Sequence, residues 1–382
     1  MEWPFESGSL FLILMKNSTE NVEQERQRKF EKAIFVIGPT ASGKTAFAHL
    51  LADRLHMDFG MVCELVNIDA FQFYRGVDIG AAKPSAEELR KYHYRGIDCL
   101  DALETIDAVQ YARFVWDACQ EIAAAGRLPI CVGGSGLYLR AALHGLDELP
   151  PRQDEIRRML RASADVWGWP RLHSWLNALA PQRASQLHPN DRTRIERALE
   201  IVLQLPDNVA PDMVFRNSLP LEQQPVVGDC YVIRVDCDDS VLKERISRRI
   251  DDMFAHGWVD EVQRLKLRWG PAFLASQAGK AIGYEEIYQA LPEWAHTCEP
   301  CQATHRQTGG GDENVGQPRV FVSEALEKSL KADIATQTWQ YVRRQRTWYA
   351  KERCDWFFET SLGIVDLQFD AQFLSFLRNH TI

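Results

Sequence analysis

The stretch Ala33-Ile-Phe-Val-Ile-Gly-Pro-Thr-Ala-Ser-Gly-Lys-Thr45 limits the fold more than any other part of the chain. A β-branched apolar run ends at Gly38, the pattern Gly-x-x-x-x-Gly-Lys-Thr follows without a gap, and Phe47, Leu50, Leu51 and Leu55 then recur at helical spacing. Strand, glycine loop and helix in that order define a P-loop. Gly38, Pro39, Thr40, Ala41, Ser42 and Gly43 would curl the backbone so that its N–H groups and the helix N-terminus point at an anion. Lys44 would reach the terminal phosphates, and the Thr45 hydroxyl would ligate Mg²⁺. Such a loop holds a di- or triphosphate and leaves open what happens to it.

The rest of the chain follows from this core. With 382 residues there is room for a full α/β domain and a smaller second one, and an apolar content of 46% suggests neither a disordered nor a membrane class. A net charge of −9 argues against unspecific coating of nucleic acid while allowing a local basic patch. Nine scattered cysteines fit reduced thiols in a cytoplasmic protein better than a disulfide framework. The apolar run Leu10–Met15 is too short to span a bilayer, and Glu2 and Glu6 stand where a secretory signal carries positive charge. Residues 1–30 read as an extension with a polar helix from Asn17 to Lys32, and Met15 is a second candidate start.

Leu65–Ile68 reads as a buried strand that delivers Asp69 and Gln72 to the phosphate loop, because ligands bind at strand ends in open α/β sheets. A loop with Gly80 and Lys83 follows. A helix over 107–125 leads into the strand Leu128–Val132 and a second glycine turn, Gly133-Gly-Ser-Gly-Leu-Tyr138. This alternation predicts a P-loop NTPase-like α/β core with a mainly parallel sheet. Residues 151–204 carry helical patterns without strand signals, including Trp167, Trp169 and Trp175, and read as a helical insertion. A proline-rich loop spans 205–229. The core returns at the strand Tyr231–Val235 and a helix N-capped by Ser240, with Arg245, Arg248 and Arg249 on one face. The polar segment 295–320 holds Cys298, Cys301 and His305, which lack the second ligand pair of a closed zinc site. In a last helix, roughly 322–352, Arg343, Arg344 and Arg346 alternate with aromatic residues. That pattern suits either an RNA surface or a solvated amphipathic face.

Taken in order, these motifs resemble those of the bacterial tRNA dimethylallyltransferases. The resemblance rests on Gly38–Thr45, Asp69-Ala-Phe-Gln-Phe-Tyr74, Asp78-Ile-Gly-Ala-Ala-Lys-Pro-Ser85 and Gly133–Tyr138. It continues through Asn190-Asp-Arg-Thr-Arg-Ile-Glu-Arg-Ala-Leu-Glu200, Arg249-Ile-Asp-Asp-Met253, Ala281-Ile-Gly-Tyr284 and Arg343-Arg-Gln-Arg-Thr-Trp348. It covers about residues 33–290 and 330–357. Four positions depart from the family's usual residues: Ala70 replaces Ser, Ala81 replaces Thr, Ser135 replaces Thr and Glu285 replaces Lys. Ala70 removes a hydroxyl near the metal or diphosphate, whereas Ser135 keeps one.

The resemblance implies transfer of a dimethylallyl group from dimethylallyl diphosphate to N6 of the adenine just 3′ of the anticodon of tRNA, by a monomer using Mg²⁺. An exocyclic amine is a poor nucleophile, so a carboxylate must take its proton as it attacks; Asp69 is placed for that, or alternatively to order Mg²⁺. The family implies that Thr40 helps hold the reactants. Lys44 and Arg249 would stabilise the departing diphosphate, and Gln72 has the donor and acceptor to read an adenine edge. Lys83, Arg194, Arg197, Arg343, Arg344 and Arg346 are the expected tRNA contacts, with the insertion as a clamp on the stem. A small-molecule P-loop kinase, a transferase acting on free adenine nucleotides and a catalytically idle RNA-binding protein are the competing readings.

Overall fold

The computed structural model describes residues 30–145, 149–206, 208–215, 227–291, 322–361 and 367–378. Strand β1 (Ala33–Ile37) is buried at every position, which explains why its sequence shows no polar alternation. Helix α1 (Lys44–Phe59) starts after Gly43 in the left-handed region at φ 89° and stops at Gly60, also left-handed. Next come β2 (Cys63–Asn67), α2 (Ala86–Tyr92) and the two-residue β3 (Tyr94–Arg95). A capping box of Ser85 and Glu88 starts α2, and a second, of Asp107 and Gln110, starts α3 (Ala108–Ala124). Strand β4 (Leu128–Gly133) and α4 (Gly136–His144) complete this half.

The chain then builds a second compact unit, within Leu146–Pro225, wider at both ends than the 151–204 expected from sequence. It contains α5 (Asp154–Trp167), α6 (Trp169–Leu179), α7 (Pro181–Ser185), α8 (Arg192–Val202) and α9 (Pro211–Val214). Leu160, Leu172, Leu176, Ile195 and Leu199 form its own core. The short α9 lies where a loop over 205–229 was expected.

The first unit resumes with β5 (Cys230–Asp236), α10 (Asp239–Ala255), α11 (Trp258–Trp269), α12 (Pro271–Ala275) and α13 (Tyr284–Ala290). It ends with the long α14 (Glu324–Tyr349), β6 (Trp356–Glu359) and α15 (Ala371–Arg378). Asp238, not Ser240, occupies the N-cap of α10; Ser240 lies inside the first turn. Phe30–Lys32 are not helical, and the remainder of the helix expected over 17–32 lies outside the described residues, as do Cys298, Cys301 and His305. Among the described residues, no helix is long and apolar enough to cross a membrane.

The six strands form one sheet in the order β3-β2-β4-β1-β5-β6, parallel at every pairing. The path goes from β1 past the place of β4 to β2, and later crosses β1 to reach β5. A switch point therefore flanks β1, and ligand crevices open at such points beyond the carboxyl ends of the strands. The P-loop follows β1, Asp69 follows β2 and the second glycine turn follows β4. Adjacent strands thus collect three motifs that are far apart in sequence. One face of the sheet is covered by α1 and α15 through Phe47, Leu51 and Phe373. A separate cluster around Tyr74, Trp258, Tyr284 and Ile334 unites the later helices.

Candidate active site

The P-loop is braced from outside by side chains of later elements. Gln345 on α14 accepts from the Thr40 N–H at 3.0 Å and donates to Gly134 O at 2.7 Å, so one side chain joins both glycine turns. The Tyr349 hydroxyl donates to Gly134 O at 2.6 Å and lies 3.2 Å from Gly38 O. On the other side Ser42 O accepts from Thr360 Oγ1 at 2.7 Å and from Arg245 at 3.3 Å. Gly38 is required by close approach, since a Cβ there would lie 2.1 Å from Val235 O on the neighbouring strand. A loop backbone held in this way need not reorganise when charge develops on a ligand.

Asp69 is set by a local turn. Its N–H donates to Asn67 Oδ1 at 2.9 Å, and its own Oδ1 accepts from the Phe71 N–H at 3.0 Å. Ser135, which keeps the hydroxyl at a departing position, accepts from the N–H of Ala70 at 3.2 Å and ties this turn to the second glycine turn. Asp69 lines a cavity of about 80 Å³ together with Thr40 and Arg249. Ile246, Ile250, Met253, Trp258, Ile282 and Ile334 supply much of its apolar wall.

The electrostatics call for an anion. Burial pushes the Lys44 ammonium down to about 8, with Arg249 adding to the shift and Asp69 opposing it. Burial also lowers Arg249, again opposed by Asp69. Two cations therefore share one carboxylate in a site that solvates charge poorly. Tyr341, another lining residue, is pushed up to about 12 by burial and then by the Asp69 charge, so its phenol keeps its proton. Among the described residues there is no group of three or more His, Cys, Asp or Glu that could hold a metal.

Other expected contacts are used differently. Gln72 does not line the cavity; its Nε2 donates to Ala81 O at 3.2 Å and Ala82 O at 3.1 Å. Both amide hydrogens being spent, Gln72 can only accept from a base. Lys83 is not available to RNA: its side chain is 6% exposed and its ammonium is held by Tyr74 O, Asp78 and Asp98. Arg346 is likewise an internal tether, bound to Asp236, Asp239 and Cys237 O. Arg197 joins Glu200 to Pro150 O, both at 2.7 Å. Arg343 and Arg344 are exposed on α14, and Arg194 is 63% exposed beside Asp191. Arg245, Arg248 and Arg249 serve three purposes, the P-loop brace, a surface pair with Glu244 and the cavity.

Sequence reading missed Gln345, Tyr349, Thr360, Trp258 and Glu261. Tyr341, Gln345 and Tyr349 stand at i, i+4 and i+8, a spacing that marks one helix face and was hidden by the more conspicuous arginines. Glu261 is buried and accepts from the N–H groups of Asp78, Ile79 and Gly80, thereby fixing one wall of the cavity.

Residues 72–352 match the family described as IPP transferase. A tRNA dimethylallyltransferase of Thioalkalivibrio sulfidiphilus is 39% identical over 68% of this chain and 78% of its own length. One from Anaeromyxobacter dehalogenans is 40% identical over 67% and 80%. The crystal structure of the full-length tRNA isopentenylpyrophosphate transferase of Bacillus halodurans superposes with a TM-score of 0.53 at 29% identity, covering 90% of this chain and 94% of that one. A eukaryotic dimethylallyltransferase crystallised acting on tRNA shares the fold, with a TM-score of 0.62 at 20% identity over 83% and 69% of the two chains.

Proposed function

The chain belongs to the IPP transferase family and is a tRNA-modifying prenyltransferase, and from that premise we propose that it carries a dimethylallyl group from dimethylallyl diphosphate to N6 of the adenosine immediately 3′ of the anticodon. The observation that carries this reading is the meeting of Asp69, Arg249 and Thr40 on a cavity much of whose remaining wall is apolar. Such a site suits a donor with an anionic head and a hydrocarbon tail. It offers the acceptor amine a fixed base.

In the reaction the N6 lone pair forms a bond to C1 of the allyl group while the C1–O bond breaks, and diphosphate leaves with the electron pair. The Asp69 carboxylate takes the N6 proton; the Phe71 N–H holds one of its oxygens and so orients the other. Lys44 and Arg249 offset the growing charge on the diphosphate. Gln72, with only Oε1 left to offer, would accept from the second N6 hydrogen. Thr45, in the first turn of α1, would hold a Mg²⁺ through its hydroxyl, one protein ligand being compatible with an ion that seldom occupies an all-protein cage. Mg²⁺ would neutralise part of the diphosphate charge. Arg343, Arg344 and Arg194 remain as tRNA phosphate contacts, and the unit within Leu146–Pro225 as a second grip on the anticodon stem.

The test is one incubation of labelled dimethylallyl diphosphate with the protein and tRNA, AMP or ATP. Label in tRNA with one diphosphate released per transfer is expected. Label in AMP, or phosphoryl transfer from ATP, would overturn the reading.

A further inference from the structure

We propose that Trp258 sets the length of the allylic chain and holds it to five carbons. The inference rests on dimethylallyl diphosphate being the donor and adds the residue that excludes longer ones. Helix α10 gives the cavity its depth. Arg245 touches the phosphate loop at Ser42 O, while Arg249 and Met253 line the cavity one and two turns further along, at about 6 Å per four residues. The chain then turns at Gly257, left-handed at φ 91°, and begins α11 with Trp258. Trp258 therefore bounds the cavity on the side reached by moving along α10 away from the diphosphate.

Its ring cannot step aside. A Cβ on Gly80 would lie 2.3 Å from the indole Nε1, and one on Gly283 would lie 2.2 Å from its far edge. Two glycines thus admit the ring between two backbone segments, and Phe254 and Tyr284 pack against it edge-on at 5.6 and 5.7 Å between centroids. Trp258 as a whole residue is 1% exposed. Met253, by contrast, has three rotatable bonds and can give way to a ligand. With Trp258 fixed, the cavity is about 80 Å³, roughly half the ~150 Å³ dry cavity known to admit benzene. A branched five-carbon group is about as bulky as benzene, so it already requires Met253 to give way, and a second isoprene unit would double that demand against a ring that cannot move.

The chemistry is unchanged by chain length: C1–O breaks, diphosphate takes the electron pair, N6–C1 forms and Asp69 takes the proton. The test compares geranyl with dimethylallyl diphosphate as donors to tRNA, using the full chain. Trp258→Leu should raise the geranyl-to-dimethylallyl ratio of kcat/KM at least tenfold, and Trp258→Phe should raise it less. A ratio equal to that of the unaltered enzyme, in a variant that still transfers dimethylallyl, would refute the proposal. If the variants do not fold, the unaltered enzyme decides the matter. Geranyl diphosphate should inhibit it with a Ki at least tenfold above the dimethylallyl diphosphate KM, and equal values would overturn the role of Trp258. An unaltered enzyme that transfers no dimethylallyl group at all would instead refute the donor assignment.

Discussion

At the scale of single residues the site is poised by charges that are incomplete without a ligand. Lys44, pushed down to about 8 by burial and by Arg249, is an ammonium below that pH and loses its proton above it. An unfolded chain keeps the proton to about pH 10.4. Between these values the unfolded state binds more protons, so the cost of burying Lys44 is relieved as pH rises through that window. A bound diphosphate restores the ammonium. Donor binding at pH 8.5 should therefore take up part of a proton, read by titration calorimetry in two buffers of different ionisation enthalpy, and Lys44→Met should abolish the uptake. Equal uptake in the variant would place the titration elsewhere. Asp69→Asn makes a different prediction. The amide oxygen can still accept from Phe71, but the group no longer takes a proton, so single-turnover transfer should slow by about 10²–10⁴-fold while donor binding is not weakened. A rate within a few-fold of the parent would assign the base to another group.

At the scale of elements, α14 shows what was and was not legible in the sequence. Its Tyr341–Gln345–Tyr349 stripe braces the glycine turns, while Arg343 and Arg344 face solvent and Arg346 is drawn back onto β5. The P-loop, β1, β4 and Asp69 could be read because each is specified by neighbouring residues. Arg346 could not, because its partner Asp236 is 110 positions away. Lys83 was misread for a different reason: its partners Asp78 and Asp98 are near in sequence, but only the folded loop turns their carboxylates onto its ammonium. Strand β6 has only four residues of alternating exposure at the sheet edge, and α15 is recognisable mainly by the aromatic core it covers. These assignments have separable consequences. Arg346→Ala should lower stability by about 1–3 kcal/mol by stranding Asp236, seen as a lower Tm. Replacing Arg343 and Arg344 should leave Tm nearly unchanged, weaken tRNA binding and reduce its salt slope by about 0.7–0.9 per phosphate lost. A lower Tm in the double variant, with the slope intact, would reverse the roles.

At the scale of the molecule, each unit has a core of its own, Leu160–Leu172–Leu199 in one and the clusters around Phe47 and Trp258 in the other. The sheet-bearing unit is interrupted in sequence but not in its own bonding. Val227 donates to Leu143 O at 2.8 Å, so the chain leaves and re-enters at neighbouring points. A loop of about five residues can join such points, and closing a short loop costs little entropy. Replacing residues 146–225 with a five-residue Gly/Ser loop should therefore leave a protein that unfolds cooperatively and binds dimethylallyl diphosphate with near-parental affinity, because Thr40, Lys44, Asp69, Arg249 and Trp258 all lie in the retained unit. Its tRNA affinity should fall, since Arg194 and the helices around it are removed while Arg343 and Arg344 remain. Filter binding across a salt series would measure how much of the slope each unit supplies. Loss of donor binding together with cooperativity would show that the cavity depends on the excised helices. Unchanged tRNA affinity would place the whole grip on the retained unit, α14 included.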